Sequence, residues 1–569
     1  MNSGPGIAVG PSASELAESQ AMAVELLDSI AGMIFAVLDT SIAPAPESLM
    51  LAAARVFESL SSRVLPAPGN EDGILVCLTE LSSQTMALVS GVSEIGRSLP
   101  VHVQERLHGA AVRSILLLAA PSAGFLQGTD VAQDENRIAA LGQIVGPLCA
   151  RLVEAQQMAE TSAGALDAGV LRQVGQCGSL LSVVVRSVRN ASSDVKVRVW
   201  ESVHAGMEPA IALVGALLSG PSPGGAAAAR SASCSLLGLV HCSVDALRRQ
   251  MGIERISQTV KYVLDLFESF LAADRDGPAA GRRTLLVRKL MTLLCLVVSE
   301  PTKAFQALLP DILSLSVDQI VPLALSTSQA APAGAAGGGG AAESTAEHLV
   351  DPSMAEQVLR IFQESLTQHT AYFVSTQRTD DGISRDVASP QAAGHLAAIL
   401  ALCLRIVSLP TAPPRLVRAA VECLADSQRR HHVFDLQVLR ESVLVHSDGM
   451  GGGTGLSTAM VVEALLHTLT EDNHAICRED ISTLIYQIAA SDGSGFFAQI
   501  LPQCLMGGGG IWEGAAQGLT DDQRTNLHAS FAGAGMDTPS FMAGLTHFIA
   551  DTRYHLSVNQ ACTTSLAIS

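Results

Sequence analysis

The sequence is expected to fold as an all-α protein, an α-solenoid of HEAT-type antiparallel helical hairpins joined by flexible loops rich in Gly, Ala, Ser and Pro. Three observations carry that expectation. Hydrophobic residues make up 48% of the chain but aromatic residues only 4%, so the core is built from Leu, Val and Ala, a composition that favours stacked helices over sheets. Apolar positions recur with a helical period in paired segments of roughly 12 to 20 residues, broken by Pro, Gly and Ser clusters at intervals of about 40. At 569 residues the chain exceeds one ordinary core, and hairpins whose apolar faces only neighbours can bury extend naturally into an array.

Residues 1–14 read as a disordered amino terminus and 15–240 as helical repeats. The clearest unit is 192–213, where Ser193 or Asp194 is placed to cap a helix carrying Val195, Val199 and Val203 on one face. Asp194, Val197 and Arg198 resemble the Asp-x-x-Val-Arg element of a HEAT second helix. The alternation VKVRVW also admits a strand, but its continuation into ESVHAGMEPAIALVGALL keeps a helical period. A similar unit opens at Pro413-Pro414, where proline suits a helix start, and runs through LVRAAVECLADS. Strand signals are weak throughout. Five low-complexity stretches, 219–231, 330–345, 375–393, 447–457 and 506–510, are expected to be loops, because they bury too little apolar surface to offset ordering entropy.

Lys plus Arg number 35 against 54 Asp plus Glu, a formal charge of -19. That balance disfavours phosphate backbones and anionic lipid and suits basic protein partners, although an acidic surface is also the ordinary way to stay soluble. Eleven cysteines are scattered singly, with no CxxC and no zinc spacing, and read as reduced core thiols. Mean hydropathy is +0.33, yet the apolar runs 396–409 and 110–126 are interrupted by Arg405, and by Arg113 and Pro121, so neither reads as a membrane span. The opening MNSGPGIAVGPSASELAESQ lacks the basic and apolar regions of a secretory signal.

Motifs with chemistry are few. Gly451-Gly452-Gly453-Thr454-Gly455 resembles the phosphate loop of tubulin-type GTPases, but Leu456-Ser457 replaces the next glycine and no strand-rich nucleotide domain surrounds it, so a linker is expected. His431-His432 reads as an exposed polar pair, since adjacent helical residues point apart and no third ligand follows at i+4. Phe496-Phe497 and Leu501-Pro502 read as a core plug between hairpins, and Tyr486, Phe541, Phe548 and Tyr554 as packing residues. Arg553 and Asp551 are placed to cap or pair near the last helix, with a solvated face as the default. Catalytic, cofactor-binding and metal residues are not assigned, and partner-binding residues stay open.

Two blocks carry a family resemblance. From Leu247 to Phe373 stand LRRQMG, VVSEPTKAFQALLPDILSLSVDQIVPL and IFQESLTQHTAYF; from Ile481 to Asn559 stand ISTLIYQIAASDGSGFFAQILPQCL, LTDDQRTNLHASF and DTPSFMAGLTHFIADTRYHLSVN. Gln250-Met251-Gly252, Glu300-Pro301, Phe305, Leu309-Pro310, Gln319, Pro322, Phe497, Leu501-Pro502, Pro539-Ser540-Phe541 and Arg553-Tyr554 stand in the same order as in exportin-6-type carriers of the importin-β superfamily, whose carboxyl-terminal region 241–569 resembles. The resemblance implies a nuclear export receptor that shuttles between nucleus and cytoplasm, carries protein cargo such as actin with profilin, binds Ran-GTP and contacts the FG repeats of the nuclear pore. It implies no enzyme activity and no cofactor. Nothing near Met1 resembles the amino-terminal Ran-binding arch of such carriers, and a HEAT-repeat scaffold without Ran or transport is the alternative reading.

Overall fold

A computed structural model describes residues 45–63, 99–117, 131–162, 166–191, 193–219, 226–273, 280–324, 351–379, 382–441, 444–447, 453–472, 474–506 and 519–568, with isolated positions between 22 and 38. The architecture is helical, as the composition predicts. Two compact units divide it, 1–266 and 267–569. The expected loop 330–345 and the amino-terminal residues 1–14 lie outside the described residues.

In the first unit, α1 (Glu47–Arg63), α2 (Val101–Leu117), α3 (Val131–Thr161), α4 (Ala168–Ser187), α5 (Ser193–Ser219) and α6 (Ala226–Met251) stack in neighbouring pairs: α1 on α2, α2 on α4, α4 on α6, α3 on α5. The α4–α6 contact is the most intimate. An added Cβ at Gly175 would lie 3.3 Å from the Ala232 Cα, and one at Gly178 would lie 3.2 Å from the Leu236 nitrogen, so two glycines one turn apart let the helices touch backbone to backbone. In α5, Val199 and Val203 are fully buried, which settles VKVRVW as helix. Ser193 and Asp194 fall inside the first turn rather than ahead of it, so neither is the cap expected there; the Asp194 carboxylate instead faces the positive end of the helix dipole. The expected loop 219–231 is shorter than its composition suggests, because α6 begins at Ala226 and its Ala run has high helix propensity. Gly252, with φ 80°, ends α6 in the left-handed region, and α7 (Ile253–Ala273) follows at once.

The second unit is built of two rows of helices. One row is α8 (Ala280–Val298), α10 (Pro352–Gln368), α12 (Pro414–His431), α14 (Arg478–Ser491) and α17 (Thr538–Ile568). The other is α9 (Leu309–Leu315, continued by Val321–Ala324), α11 (Pro390–Ser408), α13 (Thr458–Glu471) and α15 (Leu501–Met506), with α16 (Asp521–Ala532) against α15 and α17. Polar contacts tie α8, α10, α12 and α14 each to the next at a constant spacing. Arg288 Nη2 donates to both Asp351 oxygens at 2.8 Å, Gln363 to Asp426 at 3.0 Å, Arg418 to Asp480 at 3.3 Å and Gln428 to Ser491 at 3.3 Å, each pair 62 or 63 residues apart. The repeat in this unit is therefore longer than the 40 residues expected. Helices of 14 to 19 residues and the segments between them account for the difference.

Caps fix the helix starts. Asp351, 8% exposed, accepts from Ser353 N and Met354 N while paired to Arg288; Ser389, Ser457 and Thr520 cap α11, α13 and α16. The sequences SVDQIVP and FFAQILP produce a feature that periodicity does not reveal. Each forms a π turn, Ser316–Ile320 and Phe496–Ile500, just before the helix piece carrying its proline. Pro322 and Pro502 lack the N–H for an ordinary i→i−4 bond, and the wider turn relieves the clash with the carbonyl four residues back.

Two expected loops are partly strands. Within 375–393, β1 (Val374–Thr379) pairs antiparallel with β2 (Gly382–Val387), Val374 opposite Val387, and α11 starts at Pro390. At 447–457, β4 (Gly453–Leu456) pairs antiparallel with β3 (Leu444–Ser447), which ends where that stretch begins. Composition hid both ribbons: the β-branched residues alternate with polar ones over too few positions to register as strands. Two helices, α4 and α11, reach hydropathies of 1.2 and 1.5 over membrane-length windows, but 56% and 67% of those windows are buried, the pattern of core helices. The described cysteines are all free and mostly buried, and burial pushes the Cys149 and Cys177 thiols up to about 11.

Two predictions follow from this packing. A methyl group at Gly178 (Gly178→Ala) drives into the Leu236 backbone and should destabilise the first unit by about 1–3 kcal/mol, read by urea unfolding. His108 is 3% exposed, donates through Nδ1 to Gln104 O at 2.8 Å and leaves Nε2 unpartnered; burial lowers its pKa from 6.5 to about 4. The unfolded chain takes up that proton below 6.5 and the folded chain only below about 4, so stability is full above 6.5 and falls between those values. The loss should approach roughly 3 kcal/mol, and His108→Leu should flatten that part of the pH–stability curve.

Candidate functional site

The candidate region is the carboxyl-terminal half of the second unit, where the singled-out residues gather. Phe496 and Leu501 are fully buried. Phe496 and Phe497 meet edge to face at 5.2 Å; Phe531 of α16 lies 5.4 Å from Phe497, 5.1 Å from Phe541 and 5.2 Å from Phe548, both of α17. Tyr486 of α14 closes the group at 5.4 Å from Phe541. This aromatic plug seats the last hairpin. Tyr554 does not join it and is 65% exposed. The buried face of α17 runs through Phe541, Leu545, Phe548 and Thr552, and Tyr554 falls off that stripe.

Arg553 does more than pair on a solvated face. Its Nε donates to Thr470 O at 2.7 Å and its Nη2 to Leu469 O, closing the carboxyl end of α13, and Nη2 also lies 3.4 Å from Asp472. A guanidinium there satisfies the terminal carbonyls and the negative end of the dipole. The same solution recurs with neutral imidazoles. His369 Nε2 donates to Val298 O at 3.0 Å at the end of α8, and His474 Nε2 to Leu409 O at 3.1 Å just past α11. Burial holds both histidines below their ordinary pKa. Asp551 lies on the exposed side of α17.

His431-His432 is not an exposed pair. Both rings are half-buried; His431 lies 3.3 Å from the Thr370 hydroxyl, and His432, turned left-handed at φ 52°, bonds Asp435 at 3.0 Å. Asp435 belongs to a network between α12, the short helix Gln437–Glu441 and the end of α14. Arg440 donates to Asp435 and to Asp492 at 2.7 Å each, Ser491 donates to Asp435 at 2.7 Å, and Gln428 accepts from Phe434 N at 3.0 Å. The Gly495 amide, with the Ser494 hydroxyl and Arg440, holds the Asp492 carboxyl below the usual range. Gly453, Thr454 and Gly455 lie in β4 of the second ribbon, and Gly451 and Gly452 lie outside the described residues.

Sequence alone did not point to a Ser–His–Tyr chain in the same unit. His395 Nε2 lies 3.1 Å from Ser314 Oγ, and its Nδ1 lies 2.8 Å from Tyr372 OH. Burial and Asp311 push the Tyr372 phenol up to about 12, so it stays neutral. With His395 8% exposed in mid-helix, the chain links α9, the turn Thr370–Phe373 and α11.

Removing the α13 closure is the sharpest test of this geometry. Arg553→Ala strips two carbonyls of a charged donor and should cost about 1–3 kcal/mol in urea unfolding, with Arg553→Lys intermediate because an ammonium cannot span both carbonyls with a planar fork.

Comparison with known proteins converges on the same region. Residues 366–558 match the family model for exportin-6, C-terminal TPR repeats. Exportin-6 of Danio rerio is 25% identical over 316 residues, covering 55% of this chain and 24% of its own length. Exportin-6-B of Xenopus laevis is 22% identical over 390 residues, covering 68% and 29%, and exportin-6 of Homo sapiens 22% over 317 residues, covering 55% and 24%. The chain thus aligns with only 24% to 29% of the length of these relatives. A solved structure of SYS-1 superposes over 94% of this chain at a TM-score of 0.27 and 11% identity, too low to bear on the fold. The chain is thus similar to exportin-6 proteins, and residues 366–558 resemble their carboxyl-terminal repeat region.

Proposed function

We propose that this chain acts as a nuclear export receptor, carrying protein cargo out of the nucleus in a Ran-GTP-dependent way and shuttling between nucleus and cytoplasm. The observation that carries the reading is the match of 366–558 to exportin-6 repeats, on a unit built of stacked helical hairpins. Actin bound to profilin is the proposed cargo, and FG repeats of the pore are the proposed transit partners. No step of this function is enzymatic in the chain itself. Each hairpin touches chiefly its neighbours, so small changes at successive contacts sum along an array, and Ran-GTP and cargo are coupled through the energy of distorting it.

The test is a pull-down on the immobilised full chain with actin–profilin, with and without Ran locked in its GTP form. Retention should rise when Ran-GTP is present. Binding of cargo indifferent to Ran-GTP would replace the receptor reading with that of a scaffold.

A further inference from the structure

A cleft in the second unit has a composition that the capping role of Arg553 does not explain. Leu469 of α13, Arg478 and Ser482 of α14, and Leu545, Thr546, Ile549, Ala550 and Arg553 of α17 enclose a cavity of about 130 Å³. Its floor is apolar: Leu469 and Leu545 are buried at 5% and 1%. That volume is close to the ~150 Å³ at which an apolar cavity takes a benzene-sized group. Two guanidiniums stand at its edge. Arg478 Nη2 and Arg553 Nη2 both reach Asp472, which is the one carboxylate either of them contacts among the described residues.

The charges do not balance. Two cations share one anion, and the pair holds the Asp472 carboxyl below its ordinary pKa, so one ionised carboxylate serves both guanidiniums. Arg553 spends its Nε and Nη2 on the α13 carbonyls. Arg478, 52% exposed along its side chain, contacts only Asp472 among the described residues and keeps its other donors for solvent or a ligand. A surplus positive charge beside an apolar floor, in a chain of formal charge -19, selects an anion attached directly to a small apolar group. Two hydroxyls, Ser482 and Thr546, add neutral donors around the same space.

We infer that this cleft binds the free carboxyl terminus of a partner polypeptide ending in an aliphatic residue, with the terminal carboxylate on Arg478 and the last side chain on the Leu469–Leu545 floor. The choice of occupant follows from stereochemistry. An Asp or Glu side chain carries its carboxylate at the end of its own stem, whereas a C-terminal residue carries a carboxylate and a separate apolar side chain on the same carbon. Only the latter fills the floor and neutralises the guanidinium at once. Capture of a C-terminal carboxylate is a known mode of peptide recognition, and a guanidinium is a strong carboxylate donor. The inference concerns the cleft alone and stands whether or not the chain works in transport.

The test titrates the full chain into fluorescein-labelled Gly-Ser-Gly-Ala-Leu bearing a free carboxylate, and into the same peptide ending in an amide, by fluorescence anisotropy. The acid should bind saturably and the amide roughly tenfold more weakly. Arg478→Ala should weaken the acid by roughly tenfold with an unchanged melting temperature, and Ser482→Trp, which fills the floor, should abolish binding without touching a charge. Equal binding of acid and amide, no saturable binding of either, or affinity unchanged in both variants would overturn the inference.

Discussion

Lateral burial is the constraint on which everything else here depends. A helical hairpin of Leu, Val and Ala has apolar stripes on more than one side, and no single hairpin covers its own. Each buried aliphatic side chain contributes about 1.5–3 kcal/mol only when a neighbour removes it from water. α11 shows the consequence: Leu396, Ile399, Leu400, Cys403, Ile406 and Val407 are all fully buried, between α9 on one side and α13 on the other. A helix so apolar is a membrane candidate by composition and a core helix by its neighbours.

Apolar contact sets that helices stack, but it does not set their register, because one Leu slides past another at little cost. Polar contacts do that. The bonds Arg288–Asp351, Gln363–Asp426, Arg418–Asp480 and Gln428–Ser491 repeat every 62 or 63 residues, and each has angular and distance demands that a shifted helix fails. Asp351 joins two duties, since the carboxylate that caps α10 also receives Arg288. Helix ends are treated in the same economical way. Val298, Leu409, Leu469 and Thr470 carbonyls are closed by side chains from later elements, so that finishing one hairpin requires the next to be in place.

In an array built this way, the plug of Phe496, Phe497, Phe531, Phe541 and Phe548 has a distinct role. It anchors α16 and α17, and α17 then supplies both Arg553 for the α13 terminus and one wall of the Arg478 cleft. Within the region that resembles exportin-6, the last hairpin is thereby seated by an aromatic base and by the contacts of Arg553 with Leu469, Thr470 and Asp472. Local electrostatics are correspondingly concentrated at the junctions between hairpins, where Asp435, Arg440 and Asp492 also lie.

Much of the fold was legible from the chain alone. The all-helical architecture, the helix through Val199 and Val203, the start at Pro414, the core place of Phe496 and Leu501 and the family resemblance all rest on short-range periodicity or residue order, which a sequence carries directly. Tertiary contact decided what periodicity cannot express. The ribbons at 374–387 and 444–456 are too short to announce themselves, and the π turns before Pro322 and Pro502 depend on a single missing N–H. His431 and Tyr554 were assigned to the wrong surroundings because exposure depends on which helix lies opposite, whereas Arg553 does cap and pair, at the end of α13. The pairing of Ser314 with His395, 81 residues away, exists only because α9 and α11 are neighbours in space, and the meeting of Arg478 with Arg553 at Asp472 only because α14 and α17 are. Sequence determines which faces must be buried; the stacked array determines which side chains then meet, because a hydrogen bond or an ion pair is set by distances of a few ångströms that no local pattern encodes.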